Sequence, residues 1–253
     1  MGCGYYMFLK SPQWASPTSN DSIILSPGQS AKKWIHGATA RLVIQSKHLQ
    51  SAHQASRLAL PLSRSPSGIA IRDHINSRRH GFRIGDALSV LRLPHKMDDY
   101  LRGESRQAMR TNIRRAINLG YKTSRVACDR FCSQAIRAEE YGQRFKWIDM
   151  LLAEKPTGDL EHWIATDKAD RPAALARVQI DYNVAWLKYL VSTDLSRNSG
   201  LRYKLSSDII EYLISQKIEY VIVGLVYELN TGLKYFQDRL GFETMSVFET
   251  DGD

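Results

Sequence analysis

The feature that most constrains this fold is a run of apolar β-forming residues near the C-terminus, YVIVGLVYEL, residues 220–229. Apolar side chains fall at odd and even positions, so both faces of the predicted strand must be covered. Such a strand lies in the interior of a sheet that carries helices on both sides. The following residues, NTGLKYFQDRLGF, predict a short helix that begins after Asn230, ends at Gly241 and leads into Phe242 as a core anchor.

The rest of the chain alternates strand patterns with helix patterns. The predicted strands are residues 81–94, 121–127, 161–167, 172–181, 184–193 and 242–249, and the predicted helices are residues 98–120, 129–145 and 201–218. The helix at 98–120 has Asp98 or Asp99 as its N-cap and Gly120 as its C′ glycine. This order predicts an α/β (α+β) fold with a mixed central sheet and helices on both faces.

The first third of the chain gives weaker signals. Residues 1–30 are rich in Ser, Pro, Gly and Asn, which predicts a poorly ordered or extended segment. Residues 31–84 predict a basic extension or reduced subdomain, in which residues 40–45 fit a strand and residues 48–60 fit a helix. Residues 85–253 are the predicted main domain.

The cysteines favour a reducing compartment. There are three, Cys3, Cys128 and Cys132, and no secretory signal precedes them, so we expect free thiols in the cytoplasm. Cys128 and Cys132 stand four residues apart without a nearby His, which favours two small buried side chains over a metal site. No apolar run reaches the roughly 20 residues of a transmembrane helix.

Positive charge is concentrated in the N-terminal half. Residues 1–125 carry 20 Lys and Arg against 6 Asp and Glu, whereas residues 126–253 carry 15 against 20. In the helix at 98–120, arginines recur every four residues, at Arg102, Arg106, Arg110 and Arg114. Because like charges at this spacing repel one another, we interpret the face either as a site for an anion such as tRNA or another polyanion, or as a solvated surface. Exposed arginines of this kind should be replaceable, and we expect Gln at 106 and 110 to leave stability nearly unchanged.

The element order and two short motifs resemble the GNAT superfamily of acyl-CoA N-acyltransferases over residues 85–250. Between a strand and a helix, RNSGLRYKL matches the cofactor loop of that family at Arg197 and Gly200, while Arg202 replaces its second small residue. Asn230, Gly241 and Phe242 match the later signature. The resemblance implies a mostly antiparallel central sheet and acetyl-CoA or another acyl-CoA as the acyl donor to an amine acceptor.

Local chemistry agrees with a donor site at these positions. A loop that leads into a helix N-terminus offers free N–H groups and a positive dipole end to a pyrophosphate, and a glycine lets the backbone approach it. On this basis, replacing Gly200 by Val should weaken CoA binding without unfolding the protein. The backbone of the strand at 184–193 would hold the thioester carbonyl. The predicted donor contacts are Tyr189, Leu190, Val191, Arg197, Ser199, Gly200, Leu201, Arg202 and Asn230.

The catalytic groups are less clearly marked. Gln237 stands where the family has a tyrosine that acts as a general acid. A thiol with a pKa near 8.5 leaves with little help from an acid, so Gln237→Tyr should leave activity unchanged or raise it, and Tyr235 or Tyr203 could substitute. Glu228 and Asp194, at the ends of two predicted strands, are the candidate general bases. A structural role is the commoner one for a strand histidine such as His162.

A second resemblance leaves the donor open. The arginine-rich helix is similar to the first helix of Fem-type aminoacyl transferases and of GNAT-like proteins from polysaccharide-biosynthesis loci, some of which use aminoacyl-tRNA in place of acyl-CoA. That resemblance implies transfer to a cell-envelope precursor. A third reading is a non-enzymatic GNAT-derived module that binds RNA or another anion through its basic half.

Overall fold

The computed structural model describes residues 55–76, 87–140, 158–193, 198–225 and 231–252, all within one compact unit, Gln45–Asp253. The predictions for residues 1–30 and for a strand at 40–45 lie outside these residues. The segment predicted as helix at 48–60 ends in a strand, so that prediction is wrong from Ser56 onward. The reason is tertiary: Ser56–Leu62 pairs in parallel with the C-terminal strand, and such pairing overrides a local helix pattern.

The described strands form one sheet of eight, in the order β1-β8-β2-β7-β6-β5-β4-β3. Their bounds are β1 Ser56–Leu62, β2 Ala87–Arg92, β3 Lys122–Val126, β4 Leu160–Thr166, β5 Pro172–Asp181, β6 Val184–Ser192, β7 Tyr220–Leu225 and β8 Glu243–Asp251. The pairs β1–β8 and β6–β7 are parallel and the other five are antiparallel. The predicted mixed, mostly antiparallel sheet is therefore confirmed.

Helices cover both faces of this sheet. Their bounds are α1 Pro66–Asn76, α2 Met97–Leu101, α3 Gln107–Asn118, α4 Cys128–Glu140, α5 Leu201–Ser215 and α6 Thr231–Leu240. One face packs with α2, α3, α5 and α6 in the largest apolar cluster, and the opposite face packs with α1 and α4 in two smaller clusters. Since β5 is covered on both faces, its side chains are buried at successive positions, as in PAALARVQID.

The predicted single helix at 98–120 is divided in the structure. Helix α2 ends at Leu101, a 3₁₀ turn covers Glu104–Arg106, and α3 begins at Gln107. Gly103 makes the break with a φ of 93°, a conformation that few residues other than glycine adopt. The predicted stop is confirmed, because the N–H of Gly120 donates to the carbonyl of Ile117 over 2.9 Å at the end of α3.

This division changes the arginine face. Arg102 follows α2 and pairs with Asp99 at 3.0 Å, so it does not share a helix with Arg110 and Arg114. Arg106 donates to the carbonyl of Arg239 over 3.0 Å and lies over the ring of Tyr100.

Arg110 also bonds to backbone. Its guanidinium donates to the carbonyls of Leu101 and Gly103, and so satisfies the end of α2. Arg106 and Arg110 are thus half-buried carbonyl caps, and the expectation that they are freely replaceable is wrong.

The C-terminus of α6 is held by the segment before α3. The hydroxyl of Tyr100 donates to the carbonyl of Leu240 over 2.8 Å, next to the bond from Arg106 to Arg239. Burial raises the pKa of the Tyr100 hydroxyl far above its ordinary value, so it stays a donor at every physiological pH. Gly241 then turns the chain with a φ of 84°, and a side chain there would overlap the guanidinium of Arg106.

We predict that Arg106→Gln and Arg110→Gln each lower the free energy of unfolding by about 1–2 kcal/mol, because a shorter side chain cannot reach these carbonyls. Urea denaturation of each variant is the measurement. The matched control is Arg114→Gln on the exposed face of α3, which should have the midpoint of the unchanged protein. Equal midpoints for all three variants would contradict the capping role.

Candidate functional site

The candidate site lies where the parallel strands β6 and β7 part. They pair from Val184 opposite Tyr220 to Trp186 opposite Ile222, and no further pair joins them among the described residues, which end at Leu225 in β7. Strand β6 continues to Ser192 and stays paired with β5 along that length. Because alternate residues of a strand direct their N–H and C=O groups to opposite sides, half of the backbone groups of β6 beyond Trp186 face the space that β7 leaves. We call this space the β6–β7 split.

A β-bulge lies at the start of the split. Val178 of β5 is opposite Leu187 and Arg177 is opposite Tyr189, so Lys188 is the extra residue in β6. Its ammonium lies 4.7 Å from the ring centre of Trp186, and that ring stacks on His74 of α1 at 4.0 Å. Bulges bend a strand and redirect its side chains, and they are frequent beside active sites. The sequence pattern gave no sign of this bulge.

At Gly224, beside the split, β7 has open space on one face of the sheet. This residue is in β7, two positions after the last residue paired with β6. A Cβ built on Gly224 meets no described atom within 4 Å. A glycine in the middle of a strand often marks a place where another group approaches the backbone closely.

Helix α5 begins directly after the loop that follows β6. Gly200 is its N-cap, with a φ of 77°, and the hydroxyl of Ser199 accepts a hydrogen bond from the N–H of Leu201 over 3.1 Å. A Cβ at Gly200 would overlap the backbone carbonyl of Asn112 in α3. Glycine is therefore required here by the packing of α3 on α5, and the expectation that Gly200→Val leaves the fold intact is wrong.

Two arginines of α3 lie near this loop. Arg115 donates to the carbonyl of Asn198 over 3.2 Å, and Arg114 and Arg115 line an open pocket of about 400 Å³ with Thr111, Asn118 and Leu119. Both arginines are exposed. Cationic side chains and the N-terminus of α5 thus lie close together, an arrangement that favours an anion.

Arg202, in the first turn of α5, reaches towards α6. Its guanidinium lies 4.5 Å from the ring centre of Phe236, and its Nε finds no hydrogen-bond partner among the described residues. Burial lowers the pKa of Arg202 from its ordinary value, although arginine stays charged.

Helix α6 presents the predicted catalytic positions on different sides. Gln237 is only 5% exposed, and its Oε1 has no hydrogen-bond partner among the described residues. Tyr235 is 56% exposed and packs against Arg239, with 5.0 Å from the guanidinium to the ring centre. Tyr203 of α5 packs edge-on against Phe236 at 4.9 Å, and burial raises the pKa of its hydroxyl. A tyrosine would overfill the buried position 237, so Gln237→Tyr is no longer expected to be harmless.

Other predicted site residues cannot be placed from the structure. Asp194, Arg197, Glu228 and Asn230 lie outside the described residues. Tyr189, Leu190 and Val191 are described, and they lie in β6 beyond the last residue paired with β7.

A buried arginine and a buried histidine lie on the face of the sheet that α4 covers. Arg177 of β5 is 0% exposed, lies 4.9 Å from the ring centre of Phe131, and is opposite His162 of β4. His162 is 4% exposed, and its Nε2 has no hydrogen-bond partner among the described residues. Burial, and then the charge of Arg177, lower the pKa of His162, so the imidazole is neutral at neutral pH.

The two neighbouring cysteines of α4 lie in the same region. Cys128 and Cys132 are free thiols on α4, and Cys132 packs against the cluster that contains Phe131. Burial, and then Cys128, raise the pKa of the Cys132 thiol. In the parts of the chain that the structure describes, no group of three or more His, Cys, Asp or Glu could hold a metal ion, and no helix has the length and apolarity to cross a membrane.

Comparison with known proteins gives structural likeness only. No family model matches the chain, and no curated protein does. Among solved structures, L-PGS from Bacillus licheniformis matches with 12% identity and a TM-score of 0.45, covering 62% of this chain and 57% of that one. FemX matches with 10% identity and a TM-score of 0.48, covering 63% and 59%.

A third match is a tandem GNAT protein from the clavulanic acid biosynthesis pathway. It is 15% identical with a TM-score of 0.38, covering 50% of this chain and 43% of that one. The chain therefore spans less than two thirds of each of these structures. The matches include both kinds of protein that the sequence resembles, the GNAT type and the Fem type.

We predict that the fold loses stability as the pH falls below about 6.5, the ordinary pKa of histidine. The pKa of His162 is lowered in the folded state, so at a pH below 6.5 the unfolded state binds a proton more readily. The contribution of His162 to the free energy of unfolding is therefore fully present only above that pH. Urea midpoints between pH 5 and 8 measure this dependence. His162→Phe should flatten the curve, whereas the control His95→Asn, at an exposed residue, should not. Identical curves for all three proteins would contradict the role of His162.

Proposed function

We propose that this chain is a GNAT-like acyltransferase, which transfers an acyl group from acetyl-CoA or another acyl-CoA to an amine in the β6–β7 split. The observation that carries the proposal is the parting of these strands after Trp186 and Ile222. A strand that no longer pairs with its neighbour can present backbone N–H and C=O groups along that edge. Such an edge can bind an extended amide-containing arm, as a neighbouring strand would.

The backbone of β6 supplies the groups for the chemistry. An N–H at Tyr189, Leu190 or Val191 that points into the split would donate to the thioester carbonyl oxygen and stabilise it as it becomes an oxyanion. The amine nitrogen attacks the carbonyl carbon, the C–N bond forms, the C–S bond breaks, and the thiolate leaves with its electron pair. The proton of the amine passes to a base.

The base follows one of the two strands in the sequence. We propose Glu228, after β7, or Asp194, after β6, for this role. Because the thiolate is a good leaving group, no strong acid is required, and a glutamine at 237 is compatible with the reaction. Tyr235 is the less favoured acid, since its ring packs against Arg239 on the exposed side of α6.

The donor phosphates would bind at the start of α5. The residues Arg197, Ser199, Gly200, Leu201 and Arg202 form the loop and first turn, with Arg115 against Asn198. The positive end of the α5 dipole favours an anion here, and the α3 arginines add charge. Asn230 would contact the donor from the start of α6.

A second candidate is transfer from aminoacyl-tRNA, and Arg202 is the observation that favours it. In the motif that the loop resembles, this position holds a small residue. Here it holds an arginine, whose guanidinium lies against Phe236 of α6. Arg114 and Arg115 are exposed beside the loop and suit a longer polyanion. A chain that binds RNA without catalysis is the remaining alternative.

We predict that Gly224→Leu lowers acyl transfer at least about tenfold, because its side chain would fill the open space on the face of β7 beside the split. The urea midpoint should stay unchanged or rise, since glycine weakens a strand. The assay is acetyl-CoA-dependent acetylation of a panel of primary amines. Thr250→Leu, at an exposed residue of β8, is the matched control. A folded Gly224→Leu variant with the rate of the unchanged protein would remove the split from the mechanism.

We predict that replacing Arg114 and Arg115 together by Gln separates the two donors. If the donor is tRNA, its affinity should fall and the slope of log affinity against log salt should flatten by about 0.7–0.9 per lost phosphate contact. If the donor is acetyl-CoA, its affinity should fall by less than about tenfold, because the loop and helix N-terminus carry most of the contact. Filter binding with bulk tRNA and calorimetry with acetyl-CoA give these values. A protein that binds neither ligand contradicts both transferase proposals.

A further inference from the structure

Two buried side chains, one on α5 and one on α6, lack a hydrogen-bond partner among the described residues. Gln237 is 5% exposed and leaves Oε1 unpaired, and Ser206 is 2% exposed and leaves Oγ unpaired. Arg202, one turn before Ser206 on α5, leaves Nε unpaired. The helices touch where Arg202 and Tyr203 pack on Phe236, the residue before Gln237. The unpaired atoms therefore belong to one region of the fold.

Such atoms are costly and call for an explanation. Burying an unpaired acceptor costs on the order of 1–3 kcal/mol, and most buried polar side chains in proteins have a partner. Two neighbours of Gln237 on the same helix, Phe236 and Leu240, belong to the main core cluster. A methionine or leucine would fill this position without that cost. The fold gives no reason for glutamine here.

We propose that Gln237 is a substrate-contact residue, whose Oε1 accepts a hydrogen bond from an N–H group of a bound substrate. The inference rests on the proposed function and assigns a role to the position where the resembled family has an acid. A primary amide does not give up a proton to a leaving thiolate, so Gln237 positions a substrate and does not act as an acid. The chemical class of the ligand is an amide or amine N–H.

Two substrates carry such a group. The pantetheine arm of CoA has two amide N–H groups, and the attacking acceptor has an amine. Contact with the first would affect donor binding, whereas contact with the second would affect the KM for the amine and leave donor binding unchanged. Binding measurements with donor probes and amine probes distinguish these two contacts.

The first measurement is the melting temperature of the free protein. We expect Gln237→Met to have the same or a higher melting temperature than the unchanged protein, because it removes an unpaired acceptor and keeps the shape of the side chain. Gln237→Leu is a second variant in case methionine packs poorly. The matched control is Gln107→Met, at an exposed residue of α3, which should not change the melting temperature. If both variants at 237 melt clearly below the control, Gln237 has a structural partner and the proposal is wrong.

The second measurement is binding, with pantetheine and acetyl-CoA as donor probes and glycinamide, lysine and spermidine as amine probes. For one of the two classes, we expect Gln237→Met to weaken binding, or raise the amine KM, by about tenfold, the effect of one lost hydrogen bond to a ligand. Gln107→Met should behave as the unchanged protein. Equal values for Gln237→Met and the unchanged protein with every probe overturn the proposal.

The outcomes separate this inference from the proposed function. Acetyl-CoA binding and amine acetylation that do not respond to Gln237→Met leave the acyltransferase proposal standing and remove Gln237 from it. An unchanged protein that binds none of the probes overturns the assignment of Gln237. If it also binds no tRNA, the transferase proposal falls with it.

Discussion

One constraint sets the geometry of the site: among the described residues, the pairing between β6 and β7 ends after Trp186 and Ile222. Parallel strands that part in this way direct backbone donors and acceptors towards the space between them. In a sheet covered by helices on both faces, those groups need another partner. A bound arm with alternating donors and acceptors is such a partner, and this is why the split is the centre of the proposed function.

Contacts far from the split hold it in shape. On one side, α5 is fixed by the close approach of Gly200 to Asn112 of α3, which a side chain would prevent. On the other side, the end of α6 is fixed by the bonds from Tyr100 and Arg106 to its last carbonyls. The arginine-rich segment therefore has a structural part, Arg106 and Arg110, and an exposed part, Arg114 and Arg115. The exposed pair lies beside the loop before α5, where it is available to an anionic ligand.

The sequence predicted the strands from β2 to β8, because apolar runs with turn residues between them are a local signal. It predicted Gly120 and Gly241 as helix stops for the same reason. It did not predict the break at Gly103 or β1, since the first depends on the capping of carbonyls by Arg110 and the second on pairing with a strand almost 190 residues away in the chain. Within the site, the loop at Gly200 was visible as a motif. Three features of the site depend on strand register and side-chain packing, which a single sequence does not reveal. They are the bulge at Lys188, the open space at Gly224 and the burial of Gln237.

The most direct test of the central claim is amide hydrogen exchange of the segment Leu187–Ser192, measured by mass spectrometry with and without acetyl-CoA. A donor bound in the split would accept hydrogen bonds from N–H groups of β6 that face it, so we expect exchange in this segment to slow when acetyl-CoA is present. Peptides from β1 and β8, at the other edge of the sheet, should be unaffected. Unchanged exchange in Leu187–Ser192 at saturating acetyl-CoA would contradict the claim that the β6–β7 split binds the acyl donor.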